Sequence, residues 1–377
     1  MILLELYSPK PIKGKQRRTC MDGARRLPNL RRKLSENKLD AFLVSGLENR
    51  YYLTGFTGDS GTLLVTADRT ILFVDSRFRE QAKLESPQWE VVQFERFHTD
   101  LAKQWQELKA RFIGFESQLV SYADFKEMER QSPQNLFVPV AGMVEELRAV
   151  KEVGEIQAIR RAIKAAEVGL EQTLQAGLVK KREEEIAYRL EQCMHDAWAQ
   201  RAGFDTIVAS GFRSALPHGT ASNKQVESGE IVLFDWGALR DHYISDLTRC
   251  FVLRKPTAKQ RAVHQALLEA QLAGLEMIAP GRRGADIDQK VREILAKGAF
   301  GDYVYGHGLG HGVGLQVHEE PRLSVRSDAV LQPGHVVTIE PGLYIPGWGG
   351  IRLEDMVLVT KTGHEVLTSF PKDLRII

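Results

Sequence analysis

From Asp40 to Gly142 the apolar residues gather into short blocks, AFLVSG, GTLLVTA, TILFVD, EVVQF and FVPVAG, set apart by Gly, Pro, Asp and Ser. Blocks of this length, rich in β-branched and aromatic side chains, predict strands. LAKQWQELKARF and YADFKEMERQ instead space their apolar residues three and four apart, which predicts helices between the strands. A further helical stretch, DGARRLPNLRRKLSENKLD, runs into the first block. The pattern is that of a small α/β domain over residues 21–142. It is followed by MVEELRAVKEVGEIQAIRRAIKAAEVGLEQTLQAG, a long amphipathic stretch that predicts a helical bridge into a second domain, residues 143–377.

The second domain repeats itself. GLEQTLQAGLVKKREEEIAYRLEQCM (169–194) and GLEMIAPGRRGADIDQKVREILAKG (274–298) each read as a helix, a glycine break and a helix. Each precedes a two-stranded unit, EIVLFDWGALRDHYISDLTRCFVL (230–253) and HVVTIEPGLYIPGWGGIRLEDMVLV (335–359). In both units an acid closes an apolar strand and another returns after a turn: Asp235 and Asp246 in the first, Glu340 and Glu354 in the second. A duplicated α+β half-domain with a pseudo-two-fold repeat would bring these four acids to one central site.

Composition narrows the partners. A chain of 377 residues exceeds the usual single-domain size, and 43% hydrophobic residues can fill two cores. With 51 Lys+Arg against 49 Asp+Glu, no global field argues for nucleic acid or an anionic membrane. No run of about 18 apolar residues is present to span a bilayer. Cys20, Cys193 and Cys250 are widely spread and form no C-x-x-C, which fits a reducing compartment and makes the cytoplasm the expected address. The first twenty residues, MILLELYSPKPIKGKQRRTC, place their basic residues after the apolar start, the reverse of a signal peptide. They are expected to form a flexible tail, residues 1–20, from an over-extended gene start.

Taken singly, an acid at a strand end is ordinarily a turn residue or a surface charge. Asp235, however, continues IVLF and Glu340 continues VVTI, runs that read as buried, and an unpaired buried carboxylate is costly. Four carboxylates together need cations, and two divalent ions match their charge. The stretch GHGLGHGVGLQVHEEP (306–321) offers a neutral imidazole among glycines that let the backbone fold close to a metal. Oxygen-dominated ligation with one imidazole suits Mn, Co, Fe or Zn. Two such ions polarise a carbonyl and generate a hydroxide near neutral pH, so the implied chemistry is hydrolysis. Other motifs carry no chemistry. GDSG (58–61) copies a serine-protease nucleophile motif without its histidine and aspartate partners and predicts a glycine turn; HEEP (318–321) is not H-E-x-x-H.

DWGALRDHYISDLTR, GHGLGHGVGLQVHEEP, IEPGLYIPGWGGIRLED and the upstream SALPHG together resemble the pita-bread metallopeptidases, the family of methionine aminopeptidase, aminopeptidase P and prolidase, over roughly residues 140–377. The preceding region, with YYLTGFTG from Tyr51, resembles the creatinase-type N-terminal domain that aminopeptidase P and prolidase carry. The resemblance implies an α+β pita-bread fold behind a smaller α/β domain. It implies Asp235, Asp246, His311, Glu340 and Glu354 as ligands of two divalent ions per chain, with Asp246 and Glu354 bridging them. Manganese is the first expectation, with cobalt or zinc as alternatives. His318 would face the scissile carbonyl, His218 and His307 would line the proline side of the pocket, and Glu340 would shuttle a proton to the leaving nitrogen.

Arg322 and Arg352 complete the expected substrate side, Arg322 holding the substrate carboxylate and Arg352 orienting the bridging acids; a surface salt bridge is the plainer alternative for both. For His218 and His307 the plainer alternative is a hydrogen bond within a turn. His98, His195, His242, His264, His335 and His364 match no motif position. Methionine aminopeptidase has no use for the N-terminal domain, and creatinase lacks the acidic set. The expected activity is therefore cleavage of small proline-containing peptides by a homodimeric Xaa-Pro dipeptidase, favoured because Arg322 can pair with a proline carboxylate. Xaa-Pro aminopeptidase acting on longer peptides is the alternative; an inactive pita-bread binding module is opposed by the full ligand set.

Overall fold

The strand Ala41–Val44 is buried along its whole length and lies inside a six-stranded sheet, which is why it reads as an unbroken apolar run rather than an alternation. The computed structural model describes residues 23–377 and divides between Arg148 and Ala149 into two units. The tail expected at residues 1–20, with Cys20, lies outside the described residues. In the first unit the sheet order is Glu90–Gln93, Thr70–Val74, Thr62–Thr66, Ala41–Val44, Phe112–Glu116 and Leu136–Val140. Ala41–Val44 pairs antiparallel with Thr62–Thr66 and parallel with Phe112–Glu116.

All these strands but one coincide with the apolar blocks. Phe112–Glu116, FIGFE, is broken by Gly114 and follows a helical pattern that ends at Glu107 rather than running on to Phe112. Glycine fits there without disturbing the core, because a Cβ would lie 2.6 Å from the Leu39 side chain and 2.7 Å from the Phe42 ring and would push both aside. The GDSG segment is the expected turn: Ser60 donates to Asp75 at 3.2 Å, and Arg50 donates to the carbonyls of Gly58 and Gly61.

In the second unit, the long amphipathic stretch is not one helix. After Glu145–Ala149, Val150 pairs with His335 in an antiparallel bridge and Lys151 N–H donates to Gly334 O at 2.8 Å, so the chain is extended before the helix Val153–Gln175 begins. The Glu155 carboxylate then accepts the Glu152 N–H at 2.9 Å, satisfying an orphan donor at the new helix start. The expected duplication is present. Val153–Gln175 and Glu183–Asp196 flank Gly177 at φ 72°, and Ala258–Glu276 and Gly284–Ala296 flank Gly281 at φ 81°, both left-handed positions that suit glycine.

Each half then supplies three main strands, one more than expected: Ile207–Ser210, Ile231–Trp236 and Leu247–Val252, then Gly310–Gly312, Val336–Ile339 and Asp355–Val359. The first set sits in a four-stranded sheet and the second in a five-stranded one, and an antiparallel bridge between Thr248 and Glu354 links them. The run IVLF is buried on both faces. Val232 and Phe234 share a core with Leu170, Ile186 and Leu190 of the first-half helices, whereas Ile231 and Leu233 share one with Val263, Leu267 and Val291 of the second half. Successive strand residues face opposite ways, so Asp235 leaves the strand on the Ile231–Leu233 side, towards the second half. No helix among the described residues is long and apolar enough to cross a membrane.

Leu233 is fully buried at the meeting of the two halves. Leu233→Ala should therefore lower stability by about 2–5 kcal/mol, the cost of a core cavity, read from the midpoint of denaturant unfolding. An unchanged midpoint would contradict this placement.

Candidate metal centre

His311 occupies the middle of the strand Gly310–Gly312, and both of its neighbours must be glycine. A Cβ on Gly310 would lie 2.0 Å from Thr338 O, and one on Gly312 would lie 2.2 Å from Glu320 O. That close approach lets His311 N–H donate to Thr338 Oγ1 at 3.1 Å, while Nδ1 rests 3.1 Å from the Gly312 carbonyl. A carbonyl only accepts, so the proton sits on Nδ1 and Nε2 turns towards the acids. Nε2 lies 3.3 Å from Glu340 Oε1 and 3.6 Å from Asp246 Oδ2.

The acids arrive from strand ends, where a backbone can present a side chain without interrupting its ladder. Asp235 is near the end of Ile231–Trp236 and Asp246 directly precedes Leu247–Val252; Glu340 follows Val336–Ile339 and Glu354 precedes Asp355–Val359. One ligand atom from each of Asp246, His311 and Glu354 falls within 4.8 Å of the others. Asp235 and Glu340 line the same cavity as these three.

The electrostatics of this group are unbalanced. Burial, then the Asp235 charge, holds the Asp246 carboxyl well above its ordinary value; burial, then Asp246, does the same to Glu354. Asp235 is raised by burial even though Arg352 pulls it down. Glu340 is lowered: burial pushes it up, but the His311 hydrogen bond and the His311, His307 and Arg352 charges outweigh that push. For His311, burial works downwards, yet Glu340 and Asp246 together raise it. Asp235 Oδ2 accepts from Arg352 Nη2 at 2.5 Å, but its Oδ1 is buried with no hydrogen-bond partner. An orphaned carboxylate oxygen beside three more acids and an imidazole that offers a lone pair once Nε2 gives up its proton is a donor set that divalent cations complete. The residues fit such ions.

Arg352 braces the group from behind. It is 2% exposed, so it is no surface pair. Besides Asp235 it donates through Nε to Thr248 Oγ1 at 3.1 Å and through Nη1 to Tyr344 Oη at 2.8 Å and Pro217 O at 3.0 Å. Thr248 in turn donates to Glu354 at 2.7 Å. Arg352 thus touches Asp235 directly and Glu354 through Thr248. Tyr344, whose phenol burial pushes up to about 12, reaches His307 Nε2 at 3.2 Å, and His307 Nδ1 lies 2.7 Å from Gly308 O. The acids and His307 are thus joined through Arg352 and Tyr344.

The cavity above the acids has a volume of about 670 Å³, within the range of small-molecule sites, and His218, His307, His318 and Arg322 line it. The His318 ring centroid is 4.4 Å from that of His311 at an interplanar angle of 77°. Partial burial, reinforced by the His311 and Arg322 charges, pushes His318 down to about 4, so its ring is neutral near pH 7. The Arg322 side chain is 46% exposed and its nearest acid, Glu320, is 3.9 Å away, which leaves most of its charge unspent. None of the six histidines outside the motifs lines this cavity.

Residues 157–361 match the metallopeptidase family M24, and residues 26–150 match the creatinase/prolidase N-terminal domain. The chain belongs to family M24. The Xaa-Pro dipeptidase of Pyrococcus furiosus is 38% identical over 351 residues, 93% of this chain and 99% of that protein. Among solved structures, an Xaa-Pro dipeptidase from Bacillus anthracis is 38% identical, covers 94% of this chain and all of its own, and superposes with a TM-score of 0.92. An X-Pro aminopeptidase from Thermotoga maritima, also 38% identical, covers 91% of this chain and 99% of its own with a TM-score of 0.85. The expected creatinase-type domain followed by an M24 catalytic domain is borne out.

Spacing along this M24 chain does not announce Thr248, Thr338 or Tyr344. Thr248 and Thr338 sit inside apolar strands and Tyr344 inside GLYI, where each reads as core. Gly310→Ala should force a Cβ against Thr338 O, cost about 1–3 kcal/mol in the manner of an overpacked core, and displace His311. Elemental analysis should then find less divalent metal, together with a lower melting temperature. A variant with wild-type metal content and stability would show that the glycine is dispensable.

Proposed function

We propose that the chain is an Xaa-Pro dipeptidase whose two divalent ions are held by Asp235, Asp246, His311, Glu340 and Glu354. The observation that carries this reading is a carboxylate and imidazole cluster, with one buried carboxylate oxygen unpartnered, in a cavity that also presents the Arg322 guanidinium. The named activity of the Pyrococcus and Bacillus relatives supports it. When bound, the two ions supply Lewis acidity towards the scissile carbonyl and lower the pKa of water into the neutral range. The oxygen-rich donor set with one imidazole favours manganese, with cobalt or zinc next.

The chain's own residues do the rest. Glu340, turned towards His311 in the cavity, takes a proton as water adds to the carbonyl. It passes that proton to the proline nitrogen, which as a tertiary amide bears no hydrogen and must be protonated as the bond breaks. His318, neutral and beside His311, donates to the developing oxyanion. His307, held by Tyr344 and Gly308, forms the proline side of the pocket together with His218. Arg322 binds the free carboxylate of a dipeptide through a charge-assisted contact that a longer peptide, offering a neutral amide, lacks. The same reading takes the enzyme as a cytoplasmic homodimer. Two buried free thiols, Cys193 and Cys250, support the reducing compartment.

Two measurements test the reading. His318→Ala should keep its metal and lose about 10²–10³-fold in kcat, the effect of removing one oxyanion donor, whereas His311→Ala should lose metal; equal metal loss in both would refute this division of roles. Arg322→Ala should lower kcat/KM for Ala-Pro by about one to two orders of magnitude, the worth of a hydrogen bond to a charged group, and leave Ala-Pro-Pro nearly unchanged. Equal losses on both peptides, or a wild-type preference for the longer one, would favour the aminopeptidase activity named for the Thermotoga relative.

A further inference from the structure

We propose that Asp288 and Arg292, neither of which lines the cavity, are positioning residues that set the distance between its two substrate walls and thereby its selectivity for a short, carboxylate-ended substrate. The proposal rests on the reading of His307 as the proline wall and Arg322 as the carboxylate wall. Both residues belong to the helix Gly284–Ala296, one turn apart and ion-paired at 2.9 Å. Asp288 is completely buried. A carboxylate that only needed neutralising would be served by Arg292 alone, yet Asp288 gathers donors from two further segments. Its Oδ1 also accepts from Tyr305 Oη at 2.7 Å, and its Oδ2 accepts from the Val325 N–H at 2.9 Å.

Those two segments carry the walls. On the first, Arg292 donates through Nη1 to Tyr305 O at 2.8 Å and through Nη2 to His307 O, and its guanidinium lies 4.2 Å above the Tyr305 ring. The Tyr305 ring in turn backs the His307 ring at 5.0 Å. On the second, Val325 directly follows Ser324, which lines the cavity with Arg322. The same helix touches this segment again at its start, where a Cβ on Gly284 would lie 2.6 Å from Arg322 O. One rigid helix therefore grips the backbone on either side of the cavity, and a single carboxylate with its two oxygens turned to different segments adds to the direct pairing of Gly310 with Leu323 in holding their separation. None of these contacts touches the acids or His311 directly; the route to them runs from His307 through Tyr344 and Arg352.

Asp288→Asn separates the roles. An amide keeps the shape but offers one acceptor oxygen, so it must give up either the Tyr305 and Arg292 side or the Val325 N–H. Measured on the metal-loaded protein, KM for Ala-Pro should rise about tenfold with kcat within about twofold and metal content unchanged. Amide hydrogen exchange should quicken in residues 303–309 and 322–327 while strands 231–236 and 336–339 keep wild-type protection. Tyr305→Phe, which deletes one bond and keeps the ring, should shift both readouts part of the way, and it decides the matter if Asp288→Asn does not fold. Unchanged KM with a parallel fall in kcat and melting temperature would reduce the pair to a structural ion pair and overturn the proposal. Unchanged exchange in both segments would do the same. A wild-type protein inactive on Xaa-Pro substrates would instead overturn the dipeptidase reading, and the exchange measurement would still decide the positioning role.

Discussion

Four carboxylates cannot share one buried site on the strength of a single arginine, and the architecture of the second unit follows from gathering them and holding them there. Each half delivers two acids from the ends of an antiparallel pair, so their backbones are fixed by ladders before their side chains meet. The bridge between Thr248 and Glu354 joins the two halves at this point. Arg352 then pairs with Asp235 and, through Thr248, steadies Glu354. What remains is a surplus of negative charge, expressed in the raised carboxyls of Asp246 and Glu354 and the unpartnered oxygen of Asp235.

The contrast between adjacent residues makes the point sharper. Asp355, next to Glu354, is as deeply buried, but its side chain meets Arg249 at 2.7 Å, Lys372 at 2.6 Å, Thr368 at 2.6 Å and Gln271 at 3.0 Å. Burial pushes its carboxyl up, yet the Arg249 and Lys372 charges outweigh burial and it ends below its ordinary value. The fold thus compensates a buried acid fully where the acid serves structure. On the cavity side the compensation is left to a ligand, and the protein tunes the surroundings instead: the His311 tautomer through Gly312, the His307 ring through Tyr344, and the neutral His318 beside Arg322.

Much of this was legible in the chain, for identifiable reasons. Asp235 and Glu340 end runs that are apolar on both faces, and such runs are rare enough that an acid closing one stands out. The helix, glycine, helix repeat was visible because Gly177 and Gly281 occupy left-handed positions that other residues resist. The ligand roles proposed for individual residues come from family resemblance rather than from spacing. What escaped did so because tertiary contacts overrode local pattern. Phe112–Glu116 carries a glycine set against the Leu39 and Phe42 side chains, and Gly310–Gly312 is a strand although its composition reads as loop. The helix break at Val150 and Lys151 depends on pairing with Gly334 and His335, far along the chain. Tyr344 and Thr248 look like core until their hydroxyls are placed.

This surplus of negative charge is what two divalent ions would neutralise. Anomalous diffraction at the manganese absorption edge, from crystals grown with manganese, tests it most directly. Two peaks are expected inside the cavity, contacted between them by Asp235, Asp246, His311, Glu340 and Glu354. No peak at these residues, or peaks held by other groups, would contradict it.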